Sequence, residues 1–383
     1  MQPRPVAGRD MVARAIEGYG QDTLALPAFE PFWTTLFAQV ATQRPVVVLE
    51  VVGPPESLRF LCSTLGDGGT GTFLSINPAD LVGLSRWISD VLETWRPRRK
   101  DDPFEREDWR AFEKRLEREL EPLLGDCGHL IVIEHTCLEG LPWHVAARRW
   151  TCSYAASWTD LIAADKRSPT SPTSVGAFGV PRYGENGSVI AALDHSAEQA
   201  AKLAASLDLR YDRVSGVDAD RAALKDLLGR CSVVQLLCHG YGITKEFEVG
   251  VATSHNGTLP ILQSVALTGP LGRPYRFNWT DCWSLARAPS VVFSAACGSG
   301  FVHVAGMNER FGLHAGLRRG GCHTYVAPRW ILFVEDTLPV LDRALETYMT
   351  NSVSQAVHQA CREAESNLPL RLAWNISIEG DFR

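Results

Sequence analysis

Two stretches decide how this chain folds: Ser232-Val-Val-Gln-Leu-Leu-Cys-His-Gly240 and Ser290-Val-Val-Phe-Ser-Ala-Ala-Cys-Gly298. Ser232 to Cys238 and Ser290 to Ala296 are apolar runs of about seven residues, the length and character of central parallel strands covered on both faces. Each ends in a reactive residue followed by glycine, His239-Gly240 in one case and Cys297-Gly298 in the other. Open parallel sheets bind ligands beyond the carboxyl ends of their strands, so both residues are expected on the functional edge. A thiol attacks a carbonyl as thiolate, which needs a nearby base. Imidazole has the pKa to take that proton and return it to a leaving amine. Glycine after each residue lets a substrate backbone approach closely.

Outward from these strands, Ser174 to Val180 and Leu209 to Val214 read as further strands. Ser196 with Gln199 three residues on reads as a capping box opening a helix from Ala197 to Leu207, and Asp218 to Leu228 as a second helix with Leu224, Leu227 and Leu228 inward. Alternating strands and helices imply an α/β fold, a three-layer α/β/α sandwich with a mostly parallel central sheet. Ahead of it, Pro45 to Val52, Ser57 to Leu65 and Thr70 to Ile76 read as an antiparallel meander, with Gly66-Asp67-Gly68-Gly69 as a turn rather than a phosphate loop. Pro103 opens a charged helix whose Trp109, Phe112, Leu116, Leu120 and Leu123 recur every three or four residues. Leu130 to Ile133 is a buried strand, and Leu138 to Trp143 a loop entering a short helix. The Ser/Thr/Pro stretch from Arg167 marks a linker. Three regions follow: a helical extension over 1–45, a meander, helix and strand over 46–166, and the sandwich over 167–383.

Composition narrows the class. Of 383 residues, 45% are hydrophobic and 21% charged, as in a globular protein. A formal charge of −6 gives no long-range attraction to nucleic acid or to an anionic membrane, and neither partner is expected. The N-terminus lacks the apolar core of a signal peptide and no apolar run is long enough for a membrane helix, so a cytoplasmic protein is expected. The 10 cysteines are scattered, several within apolar runs, and read as small buried hydrophobes rather than a disulfide set. Cys127, His129, His135 and Cys137 crowd one stretch, but a strand between the pairs would hold them apart, against a zinc site. No metal or cofactor is expected.

The strand-end pair carries a resemblance. His239 and Cys297 are 58 residues apart, close to the roughly 50 of a caspase-type His and Cys, and Ala296-Cys297-Gly298 fits the local caspase pattern in part. Ala295 replaces its Gln and Ser299 its last Gly. More of the chain resembles the CHAT domains, bacterial caspase-like peptidases related to separases. Leu130-Ile-Val-Ile-Glu-His-Thr-Cys-Leu-Glu-Gly-Leu-Pro-Trp143 resembles that family's strand and Leu-Pro-aromatic segment, Val234 to Gly240 its histidine strand and Val291 to Gly298 its cysteine strand. Asn308 to Cys322 is similar to the following helix and turn, Trp330 to a Trp after the next strand, and Ala356 to Glu365 to the closing helix. The likeness runs over roughly residues 125 to 370.

That resemblance implies a catalytic dyad of His239 and Cys297, with the backbone N–H groups of Gly240 and Cys297 as oxyanion hole. The reaction implied is peptide-bond hydrolysis through an acyl-thioester. His135 and Thr136 stand where these domains commonly have Asp-Gly, a region bordering the specificity pocket, so Glu134 and His135 are candidate substrate-binding residues. Between the two strands, Tyr241 to Pro289 is a long insertion that could line the cleft or close over it. The expected function is a cysteine endopeptidase with a protein substrate and an activating or recruiting protein, latent until activated, in a bacterial defence or regulatory pathway. The alternative is a catalytically silent interaction scaffold on the same fold.

Overall fold

The structure, a computed structural model, describes residues 44–52, 58–65, 71–93, 102–138, 140–158, 160–161, 171–179, 187–238, 240–241, 251–254, 257–260, 264–268, 274–282, 285, 287–300, 303–305, 309–330 and 334–382. The expected N-terminal helices, the Gly66–Gly69 turn, the start of the Arg167 linker, much of the insertion and His239 itself lie outside them.

Strands β1 (Val46–Val52), β2 (Arg59–Leu65) and β3 (Gly71–Phe73) form the expected antiparallel meander. β1 also pairs in parallel with β4 (His129–Ile133), and β4 with β5 (Thr151–Ala155). The later half supplies β6 (Ser174–Gly179), β7 (Arg210–Ser215) and β8 (Val233–Leu237). The insertion holds β9 (Gly240–Tyr241), β10 (Val251–Ser254), β11 (Gly257–Pro260), β12 (Ser264–Thr268) and β13 (Pro274–Asn278). After it come β14 (Val291–Ser294), β15 (His303–Ala305), β16 (Glu309–Phe311), β17 (Thr324–Pro328) and β18 (Ile376–Gly380). One sheet of 11 strands takes the order β3-β2-β1-β4-β5-β18-β17-β14-β8-β6-β7. β6, β7, β8, β14 and β17 are mutually parallel along it, and β18 is antiparallel to β17. Its two halves join where Tyr154 of β5 meets Glu379 of β18, so residues before and after the linker share one sheet.

Helices cover the sheet because the strands are apolar on both faces. The described helices are α1 (Pro78–Glu93), α2 (Glu107–Leu124), α3 (Trp143–Ala146), α4 (Gly187–Ser206), α5 (Arg221–Arg230), α6 (Trp279–Cys282), α7 (Leu313–Arg319), α8 (Val334–Tyr348), α9 (Val353–Glu365) and α10 (Leu370–Ala373). On one face Val233, Leu237, Val291, Phe293 and Ala295 join a core with α1, α2, α4, α8 and α9. On the other, Val234, Leu236, Val292 and Ala296 pack with α5 and α7. Odd and even positions of β8 and β14 thus divide between two cores, as strand alternation requires. The result is the expected α/β/α sandwich.

α2 shows how sequence becomes packing. Asp102 caps a short 3-10 turn at Pro103, and Trp109, Phe112, Leu116, Leu120 and Leu124 are buried behind it. Each such side chain contributes about 1.5–3 kcal/mol of burial. The buried position at the end is Leu124 rather than the expected Leu123, which is half-buried. A second expectation needs correcting. Ser196 is no N-cap, because α4 begins at Gly187 and Ser196 lies inside it. Its buried hydroxyl donates to Asp342 at 2.5 Å and accepts from Gln235 Nε2 at 2.7 Å, tying α4 to α8 and β8. A buried cross-element partner outweighs the local capping pattern.

Candidate active site

Cys297 stands on a turn fixed from three sides. β14 ends at Ser294, but the ladder to β8 continues one residue further through Ala295 N–H to Leu236 O, 2.8 Å. The chain then reverses: Ser299 N–H donates to Ala296 O at 3.1 Å, a four-residue turn with Cys297 and Gly298 at its centre. Gly298 has φ 61, the left-handed value that a type II turn demands at its third position. The hydroxyls of Ser294 and Ser299 lie 2.9 Å apart across the turn, and Ser294 Oγ accepts from Ala296 N–H at 3.2 Å. Beyond it, Gly298 N–H donates to Trp330 O at 3.0 Å and Gly300 N–H to Pro328 O at 2.8 Å. Cys297 is half-buried, while Ala295 and Ala296 before it are buried.

β8 delivers its end to the same place. A Cβ built on Gly240 would overlap the Cys297 carbonyl oxygen and lie 2.7 Å from the Cys297 nitrogen, so the two main chains are in direct contact. Of the expected site residues, the structure brings Gly240 and Cys297 together, and His239, between Cys238 and Gly240, lies outside the described residues. Cys238 sits in the core on the opposite face from the one Cys297 packs against. Burial, with a smaller contribution from Cys297, pushes its thiol up to about 12. The insertion reaches this point as well: Gly240 and Tyr241 pair antiparallel with Val265 and Ser264 of β12, which pairs in turn with β13.

Glu134 and His135 follow β4. Glu134 is buried, and its Oε1 accepts from Arg329 Nη2 at 2.7 Å with both side chains out of solvent. Arg329 lies with its guanidinium 4.5 Å from the Tyr154 ring centroid. The negative charges of Glu134 and Glu379 hold it protonated against the cost of burial. His135 is half-buried, its Nδ1 3.0 Å from Cys137 Sγ. Burial lowers the His135 pKa and raises that of Cys137, so both are neutral near pH 7 rather than an imidazolium–thiolate pair. Leu49, Glu50, Phe60, Leu138 and Trp143 surround Glu134 and His135.

Arg329 is absent from the sequence reading, as is Asn375, which holds it. Asn375 O accepts from Arg329 N–H at 2.9 Å and Asn375 Oδ1 from Trp330 N–H at 3.2 Å. The one signal was Arg329-Trp330 directly after a buried strand. The other half of the crowded Cys/His stretch is structural: His129 is buried between Thr151 Oγ1 at 2.7 Å and Ser153 Oγ at 2.8 Å, and burial holds its pKa well below the usual imidazole range. Among the described residues no group of three His, Cys, Asp or Glu is placed to hold a metal ion, and no helix is long and apolar enough to cross a membrane.

A half-buried thiol on a glycine turn at the end of a parallel strand, with main-chain groups of a neighbouring strand packed on it, is an arrangement suited to attack on a carbonyl. No protein-family profile matches the chain, and none of the curated proteins matches it in sequence. Solved structures do. Two crystal structures of the Saccharomyces cerevisiae separase–securin complex match with TM-scores of 0.57 and 0.53, at 10% identity, over 90% of this chain and 30% of the matched chain. This chain therefore spans about a third of the length of that structure's chain. The complex of Porphyromonas gingivalis RgpB pro- and mature domains matches at a TM-score of 0.49, 11% identity, 79% of this chain and 76% of that one. The sandwich is thus a caspase-like fold.

Proposed function

We propose that this chain is a cysteine endopeptidase of the CHAT type, with Cys297 as nucleophile and His239 as its base. The observation that carries this reading is the contact between the main chains of Gly240 and Cys297, which sets the residue after the histidine against the nucleophile.

In the proposed reaction His239 takes the Cys297 thiol proton and the thiolate sulfur bonds to the scissile carbonyl carbon. The oxyanion is received by the N–H groups of Gly240 and Cys297. The C–N bond breaks as His239 protonates the leaving amine, and water, deprotonated by His239, then hydrolyses the thioester and restores the thiol. No metal or cofactor enters. Of the two residues after β4, His135 is the one a substrate can reach, because the Glu134 carboxylate is committed to Arg329. The substrate is a partner protein, and the β9–β12 pairing beside Cys297 makes the insertion the natural seat of latency and of an activating protein. A cytoplasmic place in a bacterial defence or regulatory pathway rests on the resemblance to CHAT domains.

The test is co-expression with the products of neighbouring genes, followed by identification of new protein N-termini. Cuts present with the wild-type chain and absent with both Cys297→Ala and His239→Ala support the proposal. Cuts that persist in Cys297→Ala refute it, and a wild type that binds a partner without cutting it favours the silent scaffold.

A further inference from the structure

On its far side the turn that carries Cys297 is bound to the chain at the end of β17. Its Gly298 and Gly300 N–H groups are bound by the carbonyls of Trp330 and Pro328. A Cβ on Gly300 would lie 2.6 Å from Ala327 O and 2.8 Å from Ser377 Oγ, so the two segments touch along their backbones. The position of residues 328–330 therefore sets the position of the turn.

Pro328 is the last residue of β17 and pairs with Ile376 of β18, while Arg329 and Trp330 lie just past the ladder. Among the described residues three polar ties hold these two. Asn375 takes the Arg329 and Trp330 N–H groups, Trp330 Nε1 donates to Arg371 O at 3.0 Å, and the Arg329 guanidinium is paired with Glu134 at 2.7 Å. The first comes from the residue before β18, a neighbour in the same half of the sheet, and the second from α10. The third comes from the residue after β4, in the other half, across the junction at Tyr154 and Glu379.

We infer that Glu134 and Arg329 are positioning residues, through which the N-terminal half of the sheet sets the geometry of the Cys297 turn. A charge pair so buried adds little net stability over apolar side chains of the same shape, whereas losing one partner leaves a charge that must leave the interior. Arg329 is joined directly to Trp330, whose carbonyl is the acceptor of Gly298 N–H, so a displaced Arg329 main chain moves that acceptor. Arg329 Nη1 already finds no hydrogen-bond partner among the described residues, so the guanidinium is held by geometry short of full satisfaction. Anything that shifts the end of β4, such as a protein engaging the adjacent half-buried His135, is then read out at Cys297. The inference deepens the peptidase reading and rests on it.

The test compares Cys297 with Cys127, an exposed free cysteine outside the site. The native full chain is labelled briefly with iodoacetamide from pH 5 to 10, and the rate ratio of the two thiols is read by peptide mass mapping. The variants are Glu134→Leu/Arg329→Met, which removes both charges together, and Arg329→Lys, which keeps the charge without the fork. The paired variant should keep the wild-type melting temperature and far-UV spectrum while the Cys297 ratio changes about tenfold or more and its pH midpoint moves, within the roughly hundredfold that a misplacement of about 1 Å can cost. Arg329→Lys should fall between it and wild type. A folded paired variant with the wild-type ratio and midpoint overturns the inference. Should that variant not fold, an unchanged ratio in Arg329→Lys overturns it instead. His239→Ala, run alongside, tests the peptidase reading separately: indifference of Cys297 to His239 sinks that reading, while the coupling of Cys297 to Arg329 is still scored from the ratio.

Discussion

The main chain of Gly240 leaves no room for a side chain, because its Cβ would fall on the Cys297 carbonyl and within 2.7 Å of the Cys297 nitrogen. Backbone cannot swing aside as a flexible side chain can, so Gly240→Ala must push the two strand ends apart. Overpacking of this kind costs about 1–3 kcal/mol, and here the displacement falls on the nucleophile. Gly240→Ala should lower the melting temperature by several degrees and slow Cys297 alkylation strongly. An alanine variant with wild-type melting and wild-type alkylation would show that the two segments are not in contact.

Gly298 presents the opposite case. A Cβ there meets nothing within 4 Å, and the constraint is φ 61 alone. The left-handed conformation costs a non-glycine residue about 1–2 kcal/mol, less for asparagine. Gly298→Ala should therefore destabilise modestly and Gly298→Asn less still, both with the site formed, as thermal melts and Cys297 labelling would read. If alanine were as damaging to labelling as Gly240→Ala, the turn would be crowded rather than strained.

These two glycines also mark how far the sequence could be read. The strands ending at Leu237 and Ser294 were legible because long apolar runs between polar punctuation have few alternatives, and the His and Cys just beyond them stood out by position. α1 was not. Its inward face includes Ser85 among Leu81, Ile88 and Leu92, so the apolar stripe is broken where a buried serine sits. The pair Glu134–Arg329 was out of reach for a different reason. The pairing depends on how the two halves of the sheet meet, 195 positions apart in the chain, and no local pattern encodes that register. Glu134 stood out through the resemblance to CHAT domains, which carries no information on its partner.

Glu50, near the end of β1, supplies a pH test of the N-terminal half. Burial raises its pKa from 4.5 to about 7, partly offset by a hydrogen bond from Trp158. Between those values the folded chain holds a proton that the unfolded chain has released, so its contribution is largest at acid pH and is lost as pH rises through 7. Glu50→Gln keeps an acceptor for Trp158 and removes the ionisation. It should gain stability relative to wild type at pH 8, by up to about 3 kcal/mol, and show no advantage at pH 4.5. Denaturant melts at the two pH values check this. An equal effect at both would mean that Glu50 is not buried as a carboxylic acid.

The most direct test of the central claim is the alkylation rate of Cys297 on the native chain near neutral pH, in wild type and in His239→Ala, with every cysteine followed by peptide mass mapping. Buried thiols such as Cys238, held up to about 12, stay unlabelled. The account predicts that Cys297 reacts faster than the exposed Cys127 in wild type, and that its rate falls markedly in His239→Ala as the thiol returns toward the unperturbed pKa of about 8.5. A Cys297 rate that is the same with and without His239 would contradict it, since the thiol would then be merely accessible and the dyad would not exist.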